Sequence, residues 1–532
     1  MSKPSSIPNV AKAGGIMMIS LFLSRVLGLI RESITNAQFG QTIYTDAYNT
    51  SFQIPDLLFF LIAGGALSSA FIPVFSEYLH TEREDEAWHI FSSVVTIMTL
   101  LIVGFVVVAW IFAPQLTTIV AGGMDPSAHP LVTTMSRILL PAQIAFFVGG
   151  LLFGTLYARQ VFSVPGLGPN IYNIGIIFGA VVLSTMFTPG VIGMSWGALL
   201  GAFLGNIIVP LFVLRHLGAT YRFSLDTKHP GVRKVFKLML PVVLGLSLPA
   251  VYAMIVRYYG TVYPAGTVSA LDAGNKLMQV PLGIFGQSLA IGVFPALSQF
   301  FAQGKMDMFR DQLGKTLRTV LYLAMPASAF LICLPREIIE VLFQHGAFTA
   351  ADTARTVPAV QMFAIGVSFW CMQPVLMRAF FSIQNSVTPI ILGTITSAVF
   401  LALSYGSVSL GLDYPALPLA GSISAIVLAA MLMVAIRKAV GAFDIAGLLK
   451  TGALTALASA VSGLAALGTL SSIRGTVLWT SLPLKIATFA GVVLLAAWLY
   501  FFMTRLMKLP ESDIIARAMN RLRKSPPATP EP

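Results

Sequence analysis

The chemistry on offer in this sequence is cationic side chains set inside lipid-length apolar runs. The first such run carries Ser24-Arg25-Val26-Leu27-Gly28-Leu29-Ile30-Arg31-Glu32 without interruption. A charge at the centre of a spanning helix costs about 2.5–3.5 kcal/mol on insertion scales, so two arginines facing lipid are disfavoured. They are expected to face a wet cavity or a protein interior. A guanidinium fork binds phosphate bidentately and keeps its charge when partly dehydrated, which makes an anion site the functional reading. Arg25 and Glu32 share a helix face, and Arg31 lies one position round from Glu32. The alternative is an internal ion network of Arg25, Glu32 and Asp46 that only locks helices together. Lys276 occupies a comparable place in a later segment, directly after Asp272-Ala273-Gly274-Asn275. Arg257 and Arg137 fall near the ends of their segments, where a long side chain reaching back to the interface is the favoured role. Asp46 and Asp272 are expected to cap or pair locally.

Other chemistries find no support. The six histidines make no metal-spaced pair, and neither a phosphate-binding loop nor a Gly-x-Ser-x-Gly elbow occurs. Cys333 and Cys371 each lie in an apolar segment and read as buried free thiols, without a disulfide framework. The sequence therefore offers no catalytic residues, no metal site and no cofactor site. ATP-driven transport is unsupported, so any transport must draw on a gradient, the membrane potential or substrate supply.

The chain as a whole is 56% hydrophobic and 10% charged over 532 residues. That composition calls for an all-α polytopic membrane protein. Apolar segments of spanning length run near 15–38, 46–76, 88–113, 131–158, 168–187, 190–215 and 233–258. They continue near 266–301, 314–334, 356–383, 387–407, 415–437, 445–469 and 480–504, making fourteen transmembrane helices. An even count puts both termini on one side. Only Arg336, Arg355, Arg474 and Lys485 then fall outside, and the loops and tails rich in Lys and Arg fall inside. Both termini are thus expected to be cytoplasmic. The net charge of +12 is explained by this topology and calls for no nucleic acid.

An internal repeat orders the segments. Asp46 precedes Pro55 as Asp272 precedes Pro281, Ile72-Pro73-Val74 is echoed by Phe294-Pro295-Ala296, and Gln160 precedes Pro165 as Gln384 precedes Pro389. The offset is about 222–226 residues, an even six helices, so the two six-helix lobes are parallel repeats with two C-terminal helices added. The expected division is 12–230 for helices 1–6, 231–440 for helices 7–12, 441–508 for helices 13–14 and 509–532 for a tail. In that tail Ile514, Ile515, Met519 and Leu522 share a helical face beside Arg517, Arg521, Arg523 and Lys524, an interfacial helix on an anionic leaflet. A disordered end follows it. Gly64-Gly65, Gly283, Gly286, Gly292, Pro55 and Pro281 permit bending or close contact, and Phe343-Gln344-His345-Gly346-Ala347-Phe348 reads as a re-entrant or amphipathic loop on the outer side.

These motifs resemble the MurJ (MviN) family within the multidrug/oligosaccharidyl-lipid/polysaccharide exporter superfamily. The most specific are Ser24-Arg25-Val26-Leu27-Gly28 with Arg31-Glu32, Thr45-Asp46-Ala47, Gly65 through Pro73, and Phe343 through Phe348. The resemblance implies that Arg25 and Arg31 are cavity arginines, with Glu32 as acidic partner and Asp46 as the first-lobe aspartate. It puts the second-lobe cation at Lys276, where the bidentate fork is lost, and a cavity-lining polar residue at Asn173. A further arginine pair of some members falls on Phe59-Phe60, and the sodium site of others cannot be traced.

The resemblance further implies a lipid II flippase of the bacterial inner membrane, in which the diphosphate meets Arg25, Arg31 and Lys276. The polyprenyl tail is then expected in a groove formed by helices 13 and 14. The implied partners are lipid II, membrane lipids and the cell-wall synthesis and division proteins. A flippase for another polyprenyl-diphosphate-linked glycan fits the charges equally well. A drug/cation antiporter of the same superfamily fits less well, because its cavity needs carboxylates.

Overall fold

Backbone groups that lose water must bond one another, and a helix achieves this within a single segment. Every regular element among the described residues is accordingly helical. The computed structural model describes residues 7–62, 66–81, 83–159, 161, 163–246 and 248–513; side chains are described outside 7–19, 21–22, 59–70, 80, 240–251 and 253. The expected tail helix at Ile514–Leu522, the Gly64-Gly65 pair and the side chains of Phe59-Phe60 lie outside the described residues.

The chain divides into two compact units, one running to Asp272 with Phe343–Asp352 added, the other comprising Ala273–Leu342 and Thr353 onward. The first begins with α1 (Ile7–Phe39) and a segment broken into α2 (Ile43–Ser51), α3 (Gln53–Ile62) and α4 (Ala66–His80). Next come α5 (Glu84–Ile111), the short α6 (Ala113–Val120), α7 (His129–Leu139), α8 (Ala142–Ala158) and α9 (Ser163–Val181). They are followed by α10 (Val191–Phe203), α11 (Val209–His216), α12 (Pro230–Leu246), α13 (Leu248–Gly260) and the start of α14 (Thr267–Pro281). The second unit takes the rest of α14, then α15 (Ser288–Ala302), α16 (Met306–Cys333), α17 (Pro335–Leu342) and most of α18 (Ala350–Ser382). It ends with α19 (Val387–Ser409), α20 (Ala416–Val440), α21 (Ile445–Ile473) and α22 (Leu482–Leu506).

Eleven helical stretches among the described residues are long and apolar enough to cross a membrane, and the chain is a multi-pass membrane protein. Of the fourteen expected spans, the first, second and seventh are not among those eleven. They fall on α1, on α2–α4 and on α12–α13, where many residues lie outside the description.

The repeat copies both fall on broken helices. In the first, α2 ends before Phe52 and α3 resumes across Pro55; in the second, Pro281 ends α14 and a π-helical turn, Leu282–Gln287, leads into α15. Pro73 and Pro295 then sit inside α4 and α15. Proline has no N–H to give to the helical ladder, and these prolines recur at matching places in the two copies.

Lipid gives no hydrophobic drive to helix pairing, so close backbone approach must hold helices together. Gly175 and Gly179 of α9 lie against Gly197 of α10 at that distance: a methyl on Gly175 would come 2.6 Å from the Gly197 carbonyl oxygen. In the second unit the α21–α22 connection is pinned by charge. Arg474 donates to Glu340 at 2.8 Å and lies 3.3 Å from Glu337, while Trp479 Nε1 donates to the other Glu340 oxygen at 3.1 Å. Lower down, Tyr500 hydroxyl donates to the Tyr322 carbonyl at 2.6 Å. Cys333 and Cys371 are free thiols, as expected, with Cys371 buried and Cys333 half-buried.

Candidate anion site

Two amides on α9 tie it to α1. Asn170 Nδ2 donates to the Ser20 carbonyl and hydroxyl at 3.2 and 3.1 Å, and Asn173 Nδ2 reaches the same two groups of Ser24 at 3.3 and 3.4 Å. Both amides also bond the carbonyl four residues back, Gly166 and Pro169, which fixes their rotamers. Residue numbers rise together along the contact, so α1 and α9 run parallel, the orientation expected of a first and a fifth span. Gly166 lets the pair close, since a methyl there would meet Ser20 Oγ at 2.8 Å.

Asn173 then presents its carbonyl oxygen to Arg31, whose Nη1 donates to it at 2.9 Å. Arg31 is half-buried, and no carboxylate forms an ion pair with it among the described residues. A neutral amide orients this guanidinium without cancelling its charge. Arg25 is exposed on α1, six residues earlier. Glu32 is buried and accepts from Asn36 Nδ2 at 3.4 Å, within its own helix. Lys276 is half-buried on α14, in the second unit.

Asp46 is buried on α2 and caps the start of α14. Its Oδ2 accepts from the Gly266 amide at 2.6 Å, and its Oδ1 accepts from the Ser269 amide at 2.8 Å and hydroxyl at 2.6 Å. A carboxylate there satisfies orphan amide donors and complements the helix dipole; the expected capping is found, but on a helix 220 residues away rather than locally. Asn49, one turn on, donates to the same Ser269 hydroxyl at 3.4 Å.

Arg257 departs from the expected interfacial reach. Its Nε lies 3.3 Å from both oxygens of Asp272, and its Nη1 is 3.4 Å from Asp56 Oδ2. Carboxylates within reach give a half-buried guanidinium more than a distant interface can, and they hold it inward. Arg137 folds onto Trp110, its Cζ 4.5 Å from the ring centroid and its Nε bonded to the Trp110 carbonyl at 3.0 Å.

The Phe343–Phe348 stretch turns back onto the end of α1. Ala347 donates its amide to the Ala37 carbonyl at 2.6 Å, and His345 Nε2 lies 2.8 Å from Ser33 Oγ. Gly346 has φ +63 and packs so tightly on the Ala37 carbonyl that a methyl would collide with it. Thr349 and Asp352 form the cap that starts α18, with the Thr349 amide donating to Asp352 Oδ2 at 2.8 Å. Asn170, Asp56, Ser269 and Ser33 were not singled out from sequence as site residues. Polar side chains within apolar runs are the signal that marks them.

The sequence profile described as Lipid II flippase MurJ matches residues 35–508. A "Lipid II flippase MurJ" of Burkholderia cenocepacia is 28% identical over 380 residues, 69% of this chain and 72% of that one. A "Probable lipid II flippase MurJ" of Bdellovibrio bacteriovorus is 28% identical over 441 residues, 81% of this chain and 82% of that one. Among solved structures, a lipid II flippase MurJ in an inward closed conformation matches with a TM-score of 0.75 at 25% identity, covering 93% of this chain and 99% of that chain. An inward-facing multidrug resistance MATE family transporter of the MOP superfamily shares the fold, with a TM-score of 0.65 at 14% identity over 82% of this chain and 99% of that one.

Proposed function

The chain belongs to the MurJ family, and from that premise we propose that it is a transporter that carries lipid II from the inner to the outer leaflet of the bacterial cytoplasmic membrane. The observation that carries the reading is Arg31, a half-buried guanidinium with an amide for a partner and no ion pair among the described residues. A cation kept in that state is poised for an anion, and a diphosphate offers the bidentate oxygens that its fork prefers. Arg25 adds charge on the same helix, and Asn173 sets the angle of Arg31. Glu32 and Asp46 act as positioning residues, the first beside Arg31 in sequence and the second through its cap on α14. Lys276 is the second unit's candidate cation.

The proposed cycle is alternating access, with the segments around Pro55, Pro73, Pro281 and Pro295 as the places where helices flex. A membrane negative inside favours outward movement of anions by about 2.3 kcal/mol per charge per 100 mV. Two uncompensated phosphate charges gain roughly twice that, and return of the emptied cationic site inward is favoured by the same field.

The test is the exposure of lipid II in cells depleted of this protein and rescued by wild type or by Arg31→Ala. Exposure is read as cleavage by an added enzyme that cannot cross the membrane. Wild type is expected to restore cleavage and Arg31→Ala to fail at equal membrane levels. Lipid II that stays accessible throughout depletion would sink the substrate assignment and favour another polyprenyl-linked glycan.

A further inference from the structure

One guanidinium serves two carboxylates in the first unit. Arg257 on α13 lies between Asp272 on α14 and Asp56 on α3, and the two contacts differ in kind. Asp272 has a side chain only 8% exposed and offers both oxygens to Nε. Asp56 is 39% exposed and touches Nη1 through one oxygen at 3.4 Å. With all three groups ionised, the triad carries one uncancelled negative charge within expected membrane spans, an arrangement that needs a further cation.

The neighbours of α3 do not supply one. α6 has no titratable side chain, and α8 contributes only Tyr157. From α2, Tyr48 lies near Arg257, Tyr44 is exposed, and Asp46 is committed to the cap on α14. Tyr172 of α9 is within electrostatic reach of Asp56. On α13, Tyr258 and Tyr259 pack against each other, and Tyr252 is a neutral phenol. Arg137 of α7 bonds the Trp110 carbonyl and His129 faces the Ala121 carbonyl. The charges of α5 and α12 lie within the first eight residues of each helix, where His89 meets Asp226 and Lys234 meets Glu77. Among the described residues Arg257 alone is paired with Asp56, and no group of three His, Cys, Asp or Glu side chains could hold a metal ion.

We propose that Asp56 is a proton-binding site, and that its protonation releases the tie between α3 and α13. The less buried carboxylate, with the single contact, takes the proton; Asp272 keeps the guanidinium as a one-to-one pair. The step is a proton added to a carboxylate oxygen of Asp56 and an ion pair to Arg257 given up, with no other bond changed. Because α3 follows the break at Phe52, losing this tie frees a short helix rather than a whole span. The proton thereby acts on the second helix at the place where the repeat bends it.

The test uses the full chain in lipid nanodiscs without substrate, so its result does not depend on the flippase reading. Infrared difference spectra between mildly acid and mildly alkaline buffer are compared for wild type, Asp56→Asn, Asp56→Glu and Asp272→Asn. A protonated-carboxyl band is expected in wild type on acidification, absent in Asp56→Asn and restored at a shifted frequency in Asp56→Glu. Asp272→Asn leaves Asp56 as the sole partner of Arg257 and is expected to move the band's midpoint to more acid pH. A wild type without the band, or a band that survives Asp56→Asn, overturns the assignment. Thermal stability of Asp56→Asn equal to that of wild type excludes misfolding as the cause of its missing band.

Discussion

Arg31 shows how a single side chain is kept charged and aimed inside an apolar bundle. Its partner Asn173 is itself fixed by bonds to Ser24 and Pro169, so the guanidinium inherits a direction from α9. A hydrogen bond to a charged group contributes about 1.5–3 kcal/mol, so Asn173→Ala is expected to slow lipid II translocation roughly tenfold or more. Arg31→Lys keeps the charge and loses the fork, and should fall between wild type and Arg31→Ala in the same cleavage assay. Arg31 was legible because a charge stands out in an apolar run. Arg257 was legible as a charge, but its partner Asp56 is 201 positions away, and no periodicity announces such a pairing.

Among the elements, α9 and α10 show how helices pair where water gives no drive. Gly197→Ala would set a methyl 2.6 Å from the Gly179 Cα, with rigid backbone as the obstacle. Overpacking of this sort costs about 1–3 kcal/mol and should lower the melting temperature in nanodiscs. Gly28→Ala is the control: nothing lies within 4 Å of its methyl, and helix propensity favours alanine by about 1 kcal/mol. Equal effects of the two substitutions would refute close packing as the reason for Gly197. The breaks in the two repeat copies were foreshadowed by Pro55 and Pro281. The π-helical turn after Pro281 was not, because a bulge depends on what the neighbouring helices leave room for.

For the whole molecule, pH and voltage are the levers. Burial holds the His345 imidazole below its ordinary value of 6.5, so the loop docked on α1 favours the neutral ring. A released loop takes up a proton at the ordinary value. Docking is therefore undiminished above about pH 6.5 and weakens as pH falls through it. Hydrogen exchange at the Ala347 amide, corrected for its intrinsic pH dependence, should accelerate on that acidification in wild type and not in His345→Gln. Collapse of the membrane potential is expected to slow translocation severalfold or more, since two phosphate charges at 100 mV represent about 4.6 kcal/mol; an unchanged rate would remove voltage from the proposed cycle. By itself the sequence determined that the chain is helical and crosses a membrane many times, because backbone groups in lipid have no other partner than their own helix. It also marked Arg25, Arg31 and Lys276, whose charge is costly in lipid and needs a cavity or a protein interior. Only the tertiary structure decided that Asn173 holds Arg31, that Asp46 caps α14, and that His345 returns to Ser33 across 312 positions. Those pairings depend on which helix faces which and at what height, and helix packing sets both through contacts that no local pattern encodes.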